Sequence, residues 1–267
     1  AVIGTASLDV KSCDQMTMTV DMDAATGLAD FSSDLVPLSG VREDCVWTEE
    51  FTQCPAFSTA APAYGSRACL LSGNTFPSEV RLTNDITWVI EGQVKFGGDN
   101  TTQVTVRIDP GTLLVSTGDT FDHIIVNSRG SRIFAEGTRS APIILTSPNE
   151  LPGASAAPAP TQVGGLVIAG NAPVNCPGGV CTAEFAPEVS YGGTNATESS
   201  GIVRYMQVRY SGYIYQTGRE INAFTLLGTG SGTTLEYLQA YRGADDGIEF
   251  FGGTTNRAAR DLAEVAL

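Results

Sequence analysis

"VRYMQV" at residues 203–208 decides the fold, because it realigns on "LEYLQA" at residues 235–240, a shift of 32 positions. "TLLG", ending at Gly228, realigns in the same way on "EFFG", ending at Gly252, a shift of 24. Two copies of a strand-and-turn unit at unequal spacing predict a solenoid whose coils share a core and differ in loop length. Each coil should turn at glycines and small polar residues. Its inward Ile, Val, Leu and Phe should stack on their counterparts above and below.

Outward from this repeat the same texture runs back to about residue 76. Short apolar runs such as "ITWVIEGQVKF", "VTVRIDPGTLLVS", "PIILTS" and "GGLVIAG" alternate with Gly, Asn, Asp and Thr. Runs of this length suit strands and are too short for independent amphipathic helices. "PNELPGASAAPAPTQ" at 148–162 reads as a surface loop inserted between coils. Tyr205 and Tyr237 occupy equivalent repeat positions and predict an aromatic ladder. Tyr213 and Tyr215 in "SGYIYQTG" do not repeat, so they are the candidates for stacking on the apolar face of a sugar.

The first 75 residues differ, with ten acidic and three basic side chains that carry half of the chain's formal charge of −14. In "QMTMTVDM", Met16, Met18, Val20 and Met22 alternate and share one face of a strand. Of the 15 basic residues in the chain only Lys11 and Lys95 are lysines, and the arginines are scattered. No basic patch results, and the acidic balance repels polyanions, which argues against a nucleic-acid partner. No run of 18 apolar residues exists to span a membrane as a helix. The opening "AVIGTAS" resembles a mature end left by export.

Six cysteines at irregular spacing predict disulfides formed in an oxidising compartment. Cys176 and Cys181 enclose "CPGGVC", where Pro and Gly fold the chain back sharply enough for a local bridge. Cys13, Cys45, Cys54 and Cys69 allow three pairings, which the sequence leaves open. The absence of paired CxxC units disfavours zinc.

"IDPGTLLVS", "GSRIFAEGTRSAPIILTS", "GGLVIAGNAPVN", "GIVRYMQVRYSG" and "GTGSGTTLEYLQAYRGADDGIEFFGGTTN" together resemble a family of bacterial exported and cell-surface proteins with right-handed parallel β-helix repeats, often described as lipoproteins or hypothetical proteins. The likeness covers roughly residues 80–256. It implies an all-β, right-handed parallel β-helix and a secreted or outer-cell-surface setting, and it brings no catalytic chemistry. The expected organisation is an acidic, disulfide-bonded region at 1–75, the β-helix at 76–256, and a tail at 257–267. That tail, "RAARDLAEVAL", aligns Ala258, Leu262, Val265 and Ala266 on one helical face and predicts a short helical cap over the last coil. An uncovered end would leave strand edges free to pair, which makes a homo-oligomer or filament an expected partner state.

The acidic pair in "GADDGIEFFGG", residues 243–253, is the main chemical candidate. Asp245 and Asp246 resemble the paired acids of pectin-cleaving hydrolases, but that pattern's Gly-His-Gly and Arg-Ile-Lys companions are missing, and the single histidine, His123, precedes them. With Glu249 and Arg242 they have the residue types of a calcium-assisted lyase. The simpler reading makes them a coil corner, with the carboxylates capping turn N–H groups and Gly243 and Gly247 supplying unusual dihedrals. Calcium at Asp245 and Asp246 is the intermediate expectation. The functional expectation is a non-catalytic structural or adhesive surface protein. The alternative is a carbohydrate-active β-helix that binds a polysaccharide through Tyr213, Tyr215 and Arg242 or cleaves it with calcium.

Overall fold

From residue 68 onward, the long strands take their backbone partners from the next turn of the chain around a common axis. The result, in a computed structural model, is a parallel β-helix. The structure describes residues 4–12, 15–22, 31–35, 53–118, 124–216, 219–255 and 263–265. It divides into two units, Ala1–Thr52 and Gln53–Leu267. The described part of the first unit is an antiparallel sheet of Gly4–Ser12, Gln15–Met22 and Phe31–Leu35, in that order.

The second unit winds three parallel sheets. The first contains Glu79–Leu82, Thr105–Ile108, Arg132–Glu136 and the leading halves of Gly201–Arg209 and Thr234–Tyr241. The second contains Ala68–Ser72, Thr87–Glu91, Leu113–Ser116, Ile143–Thr146 and the trailing halves of those two long strands. The third stacks Gln93–Phe96, Ile124–Asn127, Gly165–Ala169, Phe224–Leu227 and Ile248–Phe251. Among the described residues five coils each contribute one segment to every sheet, Ala68–Ser72 adds a sixth to the second, and the 32- and 24-residue sequence shifts are the observed registers, Val203 opposite Leu235 and Leu227 opposite Phe251.

Period-2 side-chain alternation turns this register into a core. Leu82, Ile108, Ala135, Val203 and Leu235 form one inward row, and Trp88, Leu114, Leu145 and Val208 form another, all buried. Asn127 interrupts a third row, between Phe96 and Ile168. It is fully buried, and neither its amide oxygen nor its nitrogen has a hydrogen-bond partner.

In coils 4 and 5 a left-handed residue turns the chain at each corner. Tyr205 (φ 47°) and Tyr237 (φ 53°) join the first sheet to the second, Tyr210 (φ 59°) and Arg242 (φ 54°) leave the second, and Gly228 (φ 57°) and Gly252 (φ 66°) leave the third. Each pair is in register. The expected tyrosine ladder is present: the rings of Tyr205 and Tyr237 stack with centroids 4.3 Å apart and planes 12° apart.

Cys54 is bonded to Cys69, with Cα atoms 5.7 Å apart, which ties the segment before the first strand to the second sheet. Phe57 stacks on Trp88 and Phe76 tilts onto Phe96, so aromatic rings cover this end of the core. Cys176 is bonded to Cys181, as the tight loop predicts, at a Cα separation of 5.6 Å. Cys13 and Cys45 lie outside the described residues, as does His123. The 148–162 stretch is a surface loop whose Gln162 returns to the second sheet by accepting a hydrogen bond from Ser116 Oγ (2.7 Å) through its backbone carbonyl.

The helical cap expected at 257–267 is not supported by the part of that tail the structure describes. Ala263–Val265 is a strand, parallel to the preceding coil with Gln239 opposite Ala263, and no α-helix occurs among the described residues. An open sheet edge offers aligned N–H and C=O groups to an added strand, whereas a helix this short must form its costly first turn with few bonds in return.

Two substitutions of opposite sign test this core. Leu145→Ala should lower unfolding stability by about 2–5 kcal/mol in urea titration, because no neighbour in the stacked row can collapse fully into the space. Asn127→Leu should raise it by roughly 1–3 kcal/mol, because it removes a buried amide that makes no hydrogen bond.

Candidate functional site

The structure brings most of the sequence-predicted site residues to the corner between the second and third sheets of coils 4 and 5. Ala244 N–H donates to Ser211 O (3.0 Å), and Ala223 N–H donates to Asp246 O (3.1 Å). The corner is therefore held by its backbone, and among the described residues neither Asp245 nor Asp246 accepts a hydrogen bond through its carboxylate. The left-handed dihedral falls on Arg242, not on Gly243 or Gly247. Gly243 matters for space, since a Cβ there would meet Ser211 Oγ at 2.8 Å.

Asp245 and Asp246 are exposed, and Glu249 lies half-buried in the strand that follows. Burial, together with Glu184, Asp246 and Asp245, pushes the Glu249 carboxyl above its ordinary value, while the Asn222 amide that donates to it acts in the opposite sense. Among the described residues no three His, Cys, Asp or Glu side chains converge to hold a metal ion. The Arg242 guanidinium lies beside the Tyr210 hydroxyl, whose proton affinity is raised chiefly by burial and then by Glu150 and Tyr241.

Tyr213 and Tyr215 pack half-buried against an apolar cluster outside the third sheet. That cluster is the main feature absent from the sequence expectations. Residues 170–200 leave the third sheet and fold back over it, so that Phe185, Val189 and Tyr191 cover Val167, Ala169 and Leu227. Gly165–Ala169 is consequently buried on both faces. Its uninterrupted "GLVIA", with no polar alternation, was the available signal.

A polar opening lies at the edge of this insertion, where the third sheet passes to the first. It is a cleft of about 480 Å³ lined by Asn100, Gln103, Arg132, Asn171, Asn195 and Glu198, among others. Asn100 and Asn171 exchange amide hydrogen bonds of 2.9 and 3.0 Å, and Asn195 Oδ1 accepts from the Thr197 N–H (3.2 Å). Glu198 is the single carboxylate of the lining. Burial raises its proton affinity above the ordinary value, against the opposing pull of the Gly230 N–H, the Ser200 hydroxyl and the Arg132 charge.

The lining combines one carboxylate, one guanidinium and four side-chain amides. Hydrolysis of a glycosidic bond uses two facing carboxyl groups, and the lining offers one, already engaged by the Gly230 and Ser200 donors. Proton abstraction next to a uronate needs a base together with a positive charge to stabilise the resulting anion, and the positive charge of the lining is Arg132. The amides present paired donors and acceptors, the pattern that suits hydroxyl-rich ligands.

Stacked parallel coils make the second unit a β-helix, and its match to a family model suggests a carbohydrate-active or surface protein. The chain belongs to the pectate-lyase-like β-helix domain family, whose model matches residues 74–262. No curated protein and no solved structure matches it. The two described disulfides and this domain suggest an extracellular protein, and among the described residues no helix is long and apolar enough to cross a membrane.

Glu198 gives a signed pH test. A carboxyl whose affinity for its proton is higher in the folded chain binds more protons folded than unfolded, so its contribution to stability falls as pH rises above the ordinary value of 4.5. Melting temperatures of wild type and Glu198→Gln between pH 4 and pH 8 should therefore shift in the variant's favour above about pH 4.5 and then level off.

Proposed function

We propose that this chain is a non-catalytic, exported surface protein whose β-helix serves as a rigid scaffold for adhesive contacts. One observation carries the reading: the cleft's lone carboxylate, Glu198, is spent on the fold, through the Gly230 N–H, the Ser200 hydroxyl and the neighbouring Arg132 charge. Glu249, the other carboxyl with raised proton affinity, accepts from the Asn222 amide and stands beside an insertion that keeps the third sheet's outer face dry. Nucleophiles and bases aimed at an open groove would have a different setting.

The rest of the second unit suits a load-bearing role. A disulfide ties residues before the first coil to the second sheet, another closes a loop of the outer insertion, and ion pairs such as Arg81 with Asp109 (3.0 Å) clip neighbouring coils together on the outside. Surface pairs of this kind contribute only about 0–1 kcal/mol each. Stability rests on the stacked core, which leaves the outer side chains free to vary for contact.

Incubation with acidic and neutral polysaccharides, with and without calcium, tests the reading by following unsaturated products by ultraviolet absorbance and new reducing ends. Neither signal should rise above the protein-free control. Product formation that disappears in Asp246→Ala or Glu198→Gln would overturn the reading.

A further inference from the structure

The tyrosine ladder stands on backbone that a tyrosine does not favour. Tyr205 (φ 47°) and Tyr237 (φ 53°) are left-handed in two successive coils, a conformation that Gly or Asn adopts at lower cost. The equivalent bends at Gly228 and Gly252 do use glycine. Bulky side chains are likewise kept at Tyr210 and Arg242, so the strain points to a use for the rings only together with what surrounds them.

The surroundings supply that use. Beside the stacked rings lies an opening of about 560 Å³ bordered by Arg139, Pro142, Gln207 and Gln239. Gln207 and Gln239 are register partners on the outer face of the second sheet, so their amides repeat at the strand spacing of about 4.8 Å. Gln207 is also pre-oriented. Its Oε1 accepts from Arg209 Nε (3.0 Å) and Nη2 (2.6 Å), and Arg209 is itself anchored to Glu150 Oε1 (2.7 Å). This turns the Gln207 amide nitrogen away from its anchor, as a donor for which no hydrogen bond is formed among the described residues. Arg139 is exposed at the rim, and among the described residues no carboxylate pairs with it. Desolvation and then Tyr237 raise the proton affinity of the Tyr205 hydroxyl, and the Arg139 charge opposes them.

We infer that the Tyr205–Tyr237 stack with Gln207, Gln239 and Arg139 is a binding groove for a neutral pyranose chain. Tyrosine rings present an apolar surface and a polar hydroxyl in one rigid unit, matching a sugar's C–H face and its hydroxyl rim. Amides at fixed spacing serve hydroxyls that both donate and accept. A groove organised before the ligand arrives loses little side-chain entropy on binding. The proposal rests on the adhesive reading and deepens it by naming the ligand class. The site lies at the corner between the first and second sheets, apart from both the Glu198 cleft and the Asp245–Asp246 corner.

Affinity electrophoresis of the full chain through gels containing hydroxyethylcellulose, xylan or galactan tests it. Wild type should be retarded by at least one of the three. Tyr205→Asn/Tyr237→Asn keeps a residue that tolerates the bend, so it should melt no lower than wild type while its dissociation constant rises roughly tenfold or more. If that double variant folds poorly, Gln239→Ala, which leaves the rings in place, must also weaken retardation. No retardation of wild type by any of the three polymers, or equal retardation of every variant, overturns the groove. Neither result affects the non-catalytic reading, which falls only if the same polymers are cleaved.

Discussion

Everything in the second unit follows from one constraint: a strand in a parallel solenoid can satisfy its backbone only with the strand one coil away. Lateral pairing at about 4.8 Å brings residues of equal register face to face. An inward leucine must therefore meet an apolar side chain above and below, and an inward polar group has nowhere to go. The row Trp88–Leu114–Leu145–Val208 obeys this throughout. The same constraint leaves the sequence between strands almost free. Coils absorb the 148–162 loop and the 170–200 insertion with no change in strand register.

That freedom determines where chemistry can sit. Inward positions are committed to the core, and the third sheet's outer face is committed to the insertion through Phe185, Val189 and Tyr191. What remains is the outer faces of the first and second sheets and the corners. The first sheet's outer face carries Arg81 and Arg107 opposite each other, with Arg81 paired to Asp109 and Arg107 lying 4.8 Å over the Phe134 ring. In a chain of formal charge −14 the arginines on this face are largely spent on holding coils together. Contact chemistry falls to amides and aromatic rings, and these collect at two corners, around Asn100–Asn171 and around Tyr205–Tyr237.

The solenoid was legible because repetition in sequence becomes register in space. "VRYMQV" and "LEYLQA" lie side by side with Val203 opposite Leu235, and Tyr205 stacks on Tyr237. "CPGGVC" was legible because a bridge across a tight Pro-Gly loop needs no distant information. The tail was misread because "RAARDLAEVAL" has strong local helix propensity, while its strand depends on an edge created by residues some twenty positions earlier. The corner was half legible. Glycines were expected to supply the bend around Asp245, whereas Arg242 takes it, and propensity alone gives no reason to place arginine or tyrosine there. The Glu198 cleft was invisible, since its lining comes from four separate stretches between residues 100 and 199 that touch only when the coils are wound.

Residues that violate local preference thus separate into two kinds. Ala263–Val265 forms a strand against its helical propensity, and tertiary context repays it with backbone hydrogen bonds to the preceding coil. Tyr205 and Tyr237 hold left-handed backbone that glycine would occupy more cheaply, and the fold returns a ring stack at 4.3 Å, worth about 0.5–1.5 kcal/mol, and a hydrogen bond between their side chains. Two strained non-glycine bends cost on the order of 1–3 kcal/mol each, more than the ring stack supplies by itself. The imbalance falls at a surface corner beside Gln207, whose orientation is fixed by Arg209 and Glu150 without any benefit to the core. Tyr210 and Arg242 carry the same strain at the next corner, so what sets Tyr205 and Tyr237 apart is a stacked pair of half-buried rings beside an opening and a pre-oriented amide.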